Sequence, residues 1–191
     1  MEAWALRALE RWPNVPALFG WLGLDRRGRW LIQGEVISRL QIIDTINRNY
    51  EADQHGRWFF QNGPQRGYVN LETAPLVAHV TGNTLITHTH LEVREPTAAY
   101  LDEEGSLLIT TEHGPAALID SDLEWALARF VCSGVSAREE DILSALALPS
   151  GTHTELAMRI DNSMLPISRL DRAIAPQMLG FVREPEAFQS G

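Results

Sequence analysis

Leu24-Asp25-Arg26-Arg27-Gly28-Arg29-Trp30-Leu31-Ile32 reads as a tight turn that opens into a strand. The aspartate can bond its own turn backbone, and the glycine accepts the positive φ of a bulged hairpin. The same pattern recurs as Asp53-Gln54-His55-Gly56 before Trp58-Phe59-Phe60, and as Asp102-Glu103-Glu104-Gly105 before Leu107-Leu108-Ile109. Three copies of one turn, each feeding an apolar run, predict antiparallel hairpins. A fourth hairpin is expected about Thr81-Gly82-Asn83-Thr84, between Leu76–Val80 and a strand over Leu85–Val93.

Helices are announced between the hairpins. Residues 2–12 place Trp4, Leu6, Ala8, Leu9 and Trp12 near helical spacing, and Trp12-Pro13-Asn14-Val15-Pro16 then reads as an extended connector. Ser38 with Gln41, Ser121 with Glu124 and Ser136 with Glu139 have the spacing of capping boxes and predict three further helices. Glu155–Ile160 and Met164–Leu170 form an expected hairpin about Asp161-Asn162-Ser163, followed by a closing strand near Leu179–Val182. The chain also repeats itself. Leu24-Asp25-x-x-Gly28-x-x-Leu31-Ile32 returns as Leu101-Asp102-x-x-Gly105-x-x-Leu108-Ile109, and Leu71-Glu72-Thr73-Ala74-Pro75 is echoed by Leu170–Pro176 in the same order. The expected fold class is α+β: two tandem similar units of antiparallel hairpins, each with a packed helix, over 1–97 and 98–191, with an amphipathic helix at the amino end.

Composition narrows the function. The chain has 191 residues, 45% of them hydrophobic and 21% charged, enough for a sizeable core. No apolar run reaches the roughly 18 residues of a membrane span, and the first residues lack the order of a signal peptide, so a cytoplasmic protein with no membrane partner is expected. The single cysteine, Cys132, fits a reducing compartment. The net charge of −9 is uneven: residues 1–66 carry 9 Arg against 7 Asp and Glu, while residues 67–191 carry 7 against 18. That acidic remainder repels phosphate backbones and argues against nucleic acid as a partner.

Gly28-Arg29-Trp30-Leu31-Ile32-Gln33-Gly34-Glu35-Val36-Ile37, then a helix, Gly56-Arg57-Trp58-Phe59-Phe60, and Val69-x-Leu71-Glu72-x-Ala74-Pro75-Leu76-Val77 together resemble a bacterial family of unknown function. The resemblance covers roughly residues 20–130. It implies a cytosolic fold of two α+β repeats and a link to signal transduction. Gln61–Arg66 departs from the threonine, proline and lysine pattern of the more familiar relatives.

Two groups of residues suggest chemistry. On a strand running through His88-Thr89-His90-Leu91-Glu92, alternation sends His88, His90 and Glu92 to one face, and an even hairpin adds His79. Three imidazoles and a carboxylate are ligand types of a transition metal; the competing reading is a solvated sheet face. Arg29, Trp30, Arg57, Trp58 and Arg66 form the second group, in which guanidinium forks suit a carboxylate or phosphate and an indole face suits a base or cation. Against it, charged turn tips protect strand edges, and alternation turns each tryptophan away from its neighbouring arginine. The glycine-rich Asn62–Tyr68 lacks the Lys and Ser/Thr of a phosphate loop, Glu103-Glu104 and Glu139-Glu140-Asp141 suit a solvated turn and a helix start, and Cys132 reads as a core residue. With no catalytic motif in the chain, the expected function is a non-enzymatic regulatory or binding module without a cofactor. Its partner is an unidentified protein or small molecule, or a second copy meeting the tryptophan-rich region around Trp4, Trp12 and Trp21. The alternative is a metal-dependent enzyme or metal sensor.

Overall fold

The structure, a computed structural model, describes residues 2–12, 15–160 and 163–187. Asn14 of the connector and Asp161-Asn162 of the last expected hairpin lie outside the described residues, as does Pro13. The fold is a mixed α+β arrangement, mostly sheet.

Helix α1 (Ala3–Arg11) comes first, then strands β1 (Leu18–Leu24), β2 (Trp30–Ile32) and β3 (Glu35–Val36), helix α2 (Leu40–Arg48), and strands β4 (Tyr50–Ala52), β5 (Trp58–Asn62) and β6 (Gln65–Leu71). These strands form a six-stranded sheet in the order β3-β2-β1-β6-β5-β4, antiparallel except where β6 closes against β1 in parallel. The hairpin β7 (Leu76–Thr81) and β8 (Thr84–Thr87) follows, pairing Val80 with Leu85 and His79 with Ile86 as expected. Next come β9 (Ala98–Leu101), β10 (Leu107–Thr111), β11 (Gly114–Leu118), a 3-10 turn at Asp120–Asp122, α3 (Leu123–Leu127), β12 (Phe130–Cys132), β13 (Val135–Ser136), α4 (Glu139–Leu146), β14 (His153–Ile160), β15 (Ser163–Arg169) and α5 (Ala175–Leu179). They join β7 and β8 in a nine-stranded sheet, β13-β12-β14-β15-β9-β10-β11-β7-β8. Here too the chain returns to pair in parallel, β15 against β9. One core runs through both sheets, from Leu22, Leu24 and Trp30 to Phe130, Met158 and Ile167.

The three Asp-x-x-Gly turns are built alike. Asp25 Oδ1 accepts the amides of Arg27 and Arg29 at 3.0 and 2.8 Å. Asp53 Oδ1 accepts those of His55 and Arg57 at 2.9 and 3.0 Å, and Asp102 Oδ1 those of Glu104 and Ser106 at 2.9 and 2.7 Å. Each glycine has a φ of 74–82°, a region that side chains with a Cβ avoid. The local reading of these turns is therefore correct in its atoms.

The helix starts are not where the serines put them. The helices begin after Arg39, Asp122 and Arg138, and none of Ser38, Ser121 or Ser136 caps one. Ser136 is still in strand β13, because Ala137 donates its amide to Phe130 and prolongs the ladder; Ile37 does the same with Trp30 in the first sheet. The carboxylate of Asp141 accepts the Arg138 amide at 2.8 Å and serves the start of α4 from inside the helix. Two further expectations fail. The strand expected to reach Val93 ends at Thr87, and the closing strand near Leu179–Val182 is the end of α5 followed by Gly180 at φ 72°, which turns Phe181 into the core.

Candidate functional site

Trp30 and Trp58 are buried, with Trp30 only 1% exposed. Tyr50 lies between them, its ring centroid 4.9 Å from each, and the Trp30 indole donates to Asn47 Oδ1 at 2.8 Å. The neighbouring arginines point the other way. Arg29 Nε meets Asp25 Oδ2 at 2.6 Å, and Arg57 holds Asp53 through Nε at 2.8 Å and Nη2 at 2.7 Å. The structure thus separates Trp30 and Trp58 from Arg29 and Arg57, and no indole is available beside a guanidinium there. Arg66 borders the same cleft as Arg57, over the ring of Phe59 at 4.4 Å.

The strand expected to carry His88, His90 and Glu92 on one face does not form, because β8 ends at Thr87. Thr87 Oγ1 accepts the Leu91 amide at 3.1 Å and lies 2.8 Å from Thr89 Oγ1, and this bonding rolls the chain into a turn in which His90 has φ 65°. His88 is driven inward: Val77 donates its amide to His88 Nδ1 at 3.2 Å, and the ring sits 5.2 Å from Trp30 and 6.0 Å from Tyr50. Nδ1 accepts, so the ring proton is on Nε2, which is buried and has no hydrogen-bond partner among the described residues. Burial, with the nearby His90 and His79 adding to it, pushes the His88 pKa from 6.5 down to about 3. His90 and Glu92 are exposed, and Glu92 pairs with Arg94 at 2.8 Å. Among the described residues no group of three or more His, Cys, Asp and Glu is placed to hold a metal ion.

The more open surface lies on the first sheet. Register pairs Leu22 with Ile32, Leu18 with Gly67 and Phe60 with Gly67, so Leu18, Leu22, Ile32 and Phe60 share one face. Ile42 and Ile46 of α2 line the other wall, leaving a groove of about 270 Å³ with Asn62 and Gln65 at one end. A register shift between Leu18 and Leu22, with Gly20 at φ 72°, marks a bulge in β1. Nothing stands within 4 Å of where a Gly20 Cβ would be, so this glycine serves the backbone bend and not a close contact. Bulges re-aim side chains, and this one brings Trp21 to the rim at 52% exposure.

A sequence model of a family described as "Protein of unknown function (DUF2946)" matches residues 1–186. The chain belongs to this family. Among solved structures, a DUF1285 family protein from Silicibacter pomeroyi DSS-3 is similar at a TM-score of 0.52 and 13% identity, over 84% of this chain and 86% of that one. A DUF1285 family protein from Shewanella baltica OS155 aligns at a TM-score of 0.44 and 13% identity, over 55% of this chain and 87% of that one. No curated protein matches. At 13% identity the likeness to the Silicibacter pomeroyi protein shows a fold only, and the site of this family member rests on its own residues.

Two features of this member escaped the reading of its sequence. Cys132 is on strand β12 and not at the end of a helix; it is half-buried and packed against the core, and it borders a cleft of about 440 Å³ with Asp141 and His153. Phe59 and Tyr68, both buried, are the aromatic rings that the arginines use: Arg57 lies over Tyr68 at 4.7 Å and Arg66 over Phe59 at 4.4 Å. The signal was available in the alternation of Arg57-Trp58-Phe59, where the residue two from the arginine shares its face.

Proposed function

We propose that this protein is a non-catalytic binding module whose apolar face around Trp21 pairs with a second copy of the chain. The observation that carries the proposal is a concentration of exposed apolar side chains. Among the described residues, Trp4, Leu6, Trp12, Leu18, Trp21, Ile32, Val36, Leu40 and Ile42 are all exposed and all lie before residue 43, with Leu40 at 75% and Trp12 at 51%. Leu18, Trp21, Ile32 and Ile42 of this set border one groove; exposed apolar surface marks interaction sites on soluble proteins, and tryptophan is among the residues most enriched at interface centres. Helix α1 belongs to the same region: Trp4 and Ala8 approach Gly63 at the tip of the β5–β6 hairpin, and Gln65 Nε2 donates to Pro16 O at 3.2 Å. Charge favours a second copy as the occupant. A molecule of net charge −9 repels itself through its acidic part, whereas residues 1–66, with 9 Arg against 7 acids, form the part nearest neutrality. A self-complementary face of that kind closes into a two-fold dimer.

The same reading takes the chain as two related units, 1–97 and 98–191. Its support is the shared strand order. Taken from its first strand, each unit runs through three antiparallel strands, a helix, and three more sheet strands, with the last pairing in parallel against the first: β6 on β1, and β15 on β9. Strand β13 and helix α4 are extra in the second unit. The hairpin β7–β8 lies between the two and extends the second sheet through β11.

Sedimentation velocity across a concentration series tests the dimer. The wild-type chain is expected to dimerise, and Trp21→Ala to weaken the dimer by about 30-fold, the loss of a central aromatic anchor of about 2 kcal/mol. Because Trp21 is exposed, an unchanged urea midpoint confirms that the variant is folded. A wild-type chain that remains monomeric, or a Trp21→Ala dimer of unchanged affinity, refutes the proposal.

A further inference from the structure

The groove beside Trp21 has a floor that no side chain fills. Gly67 of β6 pairs with Phe60 on one side and Leu18 on the other, and all three line the groove. A Cβ on Gly67 would meet only Phe60 O, at 4.0 Å. Gly67 is also not among the residues with positive φ, so its backbone conformation does not require glycine. A glycine inside a strand where the backbone does not call for one marks a place where another group can approach the sheet closely. Around this floor the groove is an apolar slot of about 270 Å³, smaller than the sites of drug-sized molecules, with two amides at one end. Among the described residues, none that lines it is charged. The amides have bonding capacity to spare: the Asn62 side chain has no hydrogen-bond partner among the described residues, and Gln65 uses only Nε2, which donates to Pro16 O at 3.2 Å.

We propose that this groove binds a neutral amphiphile, an unbranched alkyl chain lying over Gly67 with a hydroxyl or amide head at Asn62 and Gln65. A slim chain suits a slot of this volume, and each methylene taken out of water adds to affinity. The polar end selects the head. Gln65 Oε1 accepts and Asn62 Nδ2 donates, so the matching group is one that both donates and accepts. A carboxylate would leave Gln65 Oε1 without a donor, would meet no cation in the groove, and is repelled by a chain of net charge −9. Trp21 rims the same groove, so the amphiphile and a second copy compete for one face. That competition rests on the proposed dimer; binding in the groove does not.

The test is a titration of the full chain with n-butanol, n-hexanol and n-octanol, followed by NMR at the side-chain amides of Asn62 and Gln65 and the indole N–H of Trp21. Saturable shifts are expected, with affinity rising about fourfold per methylene, and sodium octanoate is expected to bind more weakly than n-octanol. Gly67→Val fills the floor with a residue suited to a strand. It should abolish the shifts at Asn62 and Gln65 while the urea midpoint stays at or above that of wild type. Ile42→Ala, which truncates an exposed wall residue, should weaken n-octanol binding without touching the floor. Absence of saturable shifts, binding that survives Gly67→Val, unchanged affinity in Ile42→Ala, or affinity independent of chain length overturns the groove as the site. Octanoate bound as tightly as n-octanol overturns the neutral head. In sedimentation velocity, n-octanol should shift the wild-type dimer toward monomer. A dimer unmoved at saturating n-octanol overturns the competition, whereas a chain that is monomeric without ligand refutes the dimer and leaves the amide shifts to decide the groove.

Discussion

His88 makes this fold sensitive to mild acid. The ring is buried against Trp30 and Tyr50, accepts the Val77 amide at Nδ1, and has its pKa lowered to about 3. In the unfolded chain the same imidazole titrates near 6.5. The folded pKa is the lower of the two, so the unfolded state binds the extra proton as pH falls below 6.5 and the folded state does not until about 3. Stability attributable to His88 is whole above 6.5 and is lost progressively between 6.5 and 3. At pH 5 the unfolded state is favoured by 1.5 pH units at about 1.4 kcal/mol each, or about 2 kcal/mol relative to pH 7.5. Urea denaturation at pH 7.5, 6.5, 5.5 and 5.0 measures the loss. His88→Gln, which retains an acceptor for Val77 and cannot titrate, should be less stable than wild type at pH 7.5 and should lose about 2 kcal/mol less between pH 7.5 and 5.0. The carboxylates whose pKa values are lowered, among them Glu72 and Glu112, are common to both proteins, so their contribution cancels in the comparison. Parallel pH dependence in wild type and His88→Gln would refute the argument, because it would mean that the ring is solvated or paired in the folded state.

Two glycines of equal backbone conformation separate strain from collision. Gly56 and Gly105 have φ of 74° and 82°, but a Cβ on Gly56 would stand 2.3 Å from Gly180 O while one on Gly105 meets nothing within 4 Å. Gly105→Ala should cost about 1–2 kcal/mol from the left-handed conformation alone, and Gly56→Ala clearly more; equal losses in urea denaturation would mean that residues 180–182 do not pack on this turn. Asp53→Ala removes the acceptor of two turn amides and leaves the Arg57 guanidinium, 11% exposed, without its carboxylate, and it should cost about 3 kcal/mol at pH 7. Burial acts to raise the Asp53 pKa, but the hydrogen bonds from Arg57, the His55 and Arg57 amides and Tyr68 outweigh it and hold it low. Its contribution is therefore present above the ordinary carboxylate range and lost as pH falls through and below it, so the gap between wild type and Asp53→Ala should narrow toward pH 3; a constant gap contradicts the assignment.

The parts of the fold legible in the sequence are those in which a few adjacent residues satisfy one another. Asp53 and Gly56 complete their turn within five residues, and so the turn could be read and even its atoms anticipated. Alternation likewise turned Trp30 and Trp58 inward and Arg29 and Arg57 outward, because a strand's two faces are set by its own pleat. The serine caps failed on a contest that the local pattern does not contain. Ser38 follows a strand whose ladder continues through Ile37, and Ser136 lies within one that continues through Ala137; a backbone still paired to Trp30 or Phe130 cannot yet turn into a helix.

The histidine face failed by a similar contest on a smaller scale. A threonine is at home in a strand, yet the Thr87 hydroxyl bonds forward to the Leu91 amide and takes His88 and His90 out of the alternation on which the metal reading rested. The closing strand is a different case, since its correct reading was present. Pro176 at the first turn and Gly180 just past the end are the signature of a short helix, and Gly180 in the left-handed conformation is what brings Phe181 into the core and Val182 within 3.0 Å of Gly56 O. The Gln61–Arg66 pair was half legible: alternation puts both on one face and register places Gln61 opposite Arg66, but that Gln61 would be wholly buried depends on what covers the sheet, which no neighbouring residue declares. A buried amide and the arginine it orients on the adjacent strand thus become visible as a pair only when the strands are paired.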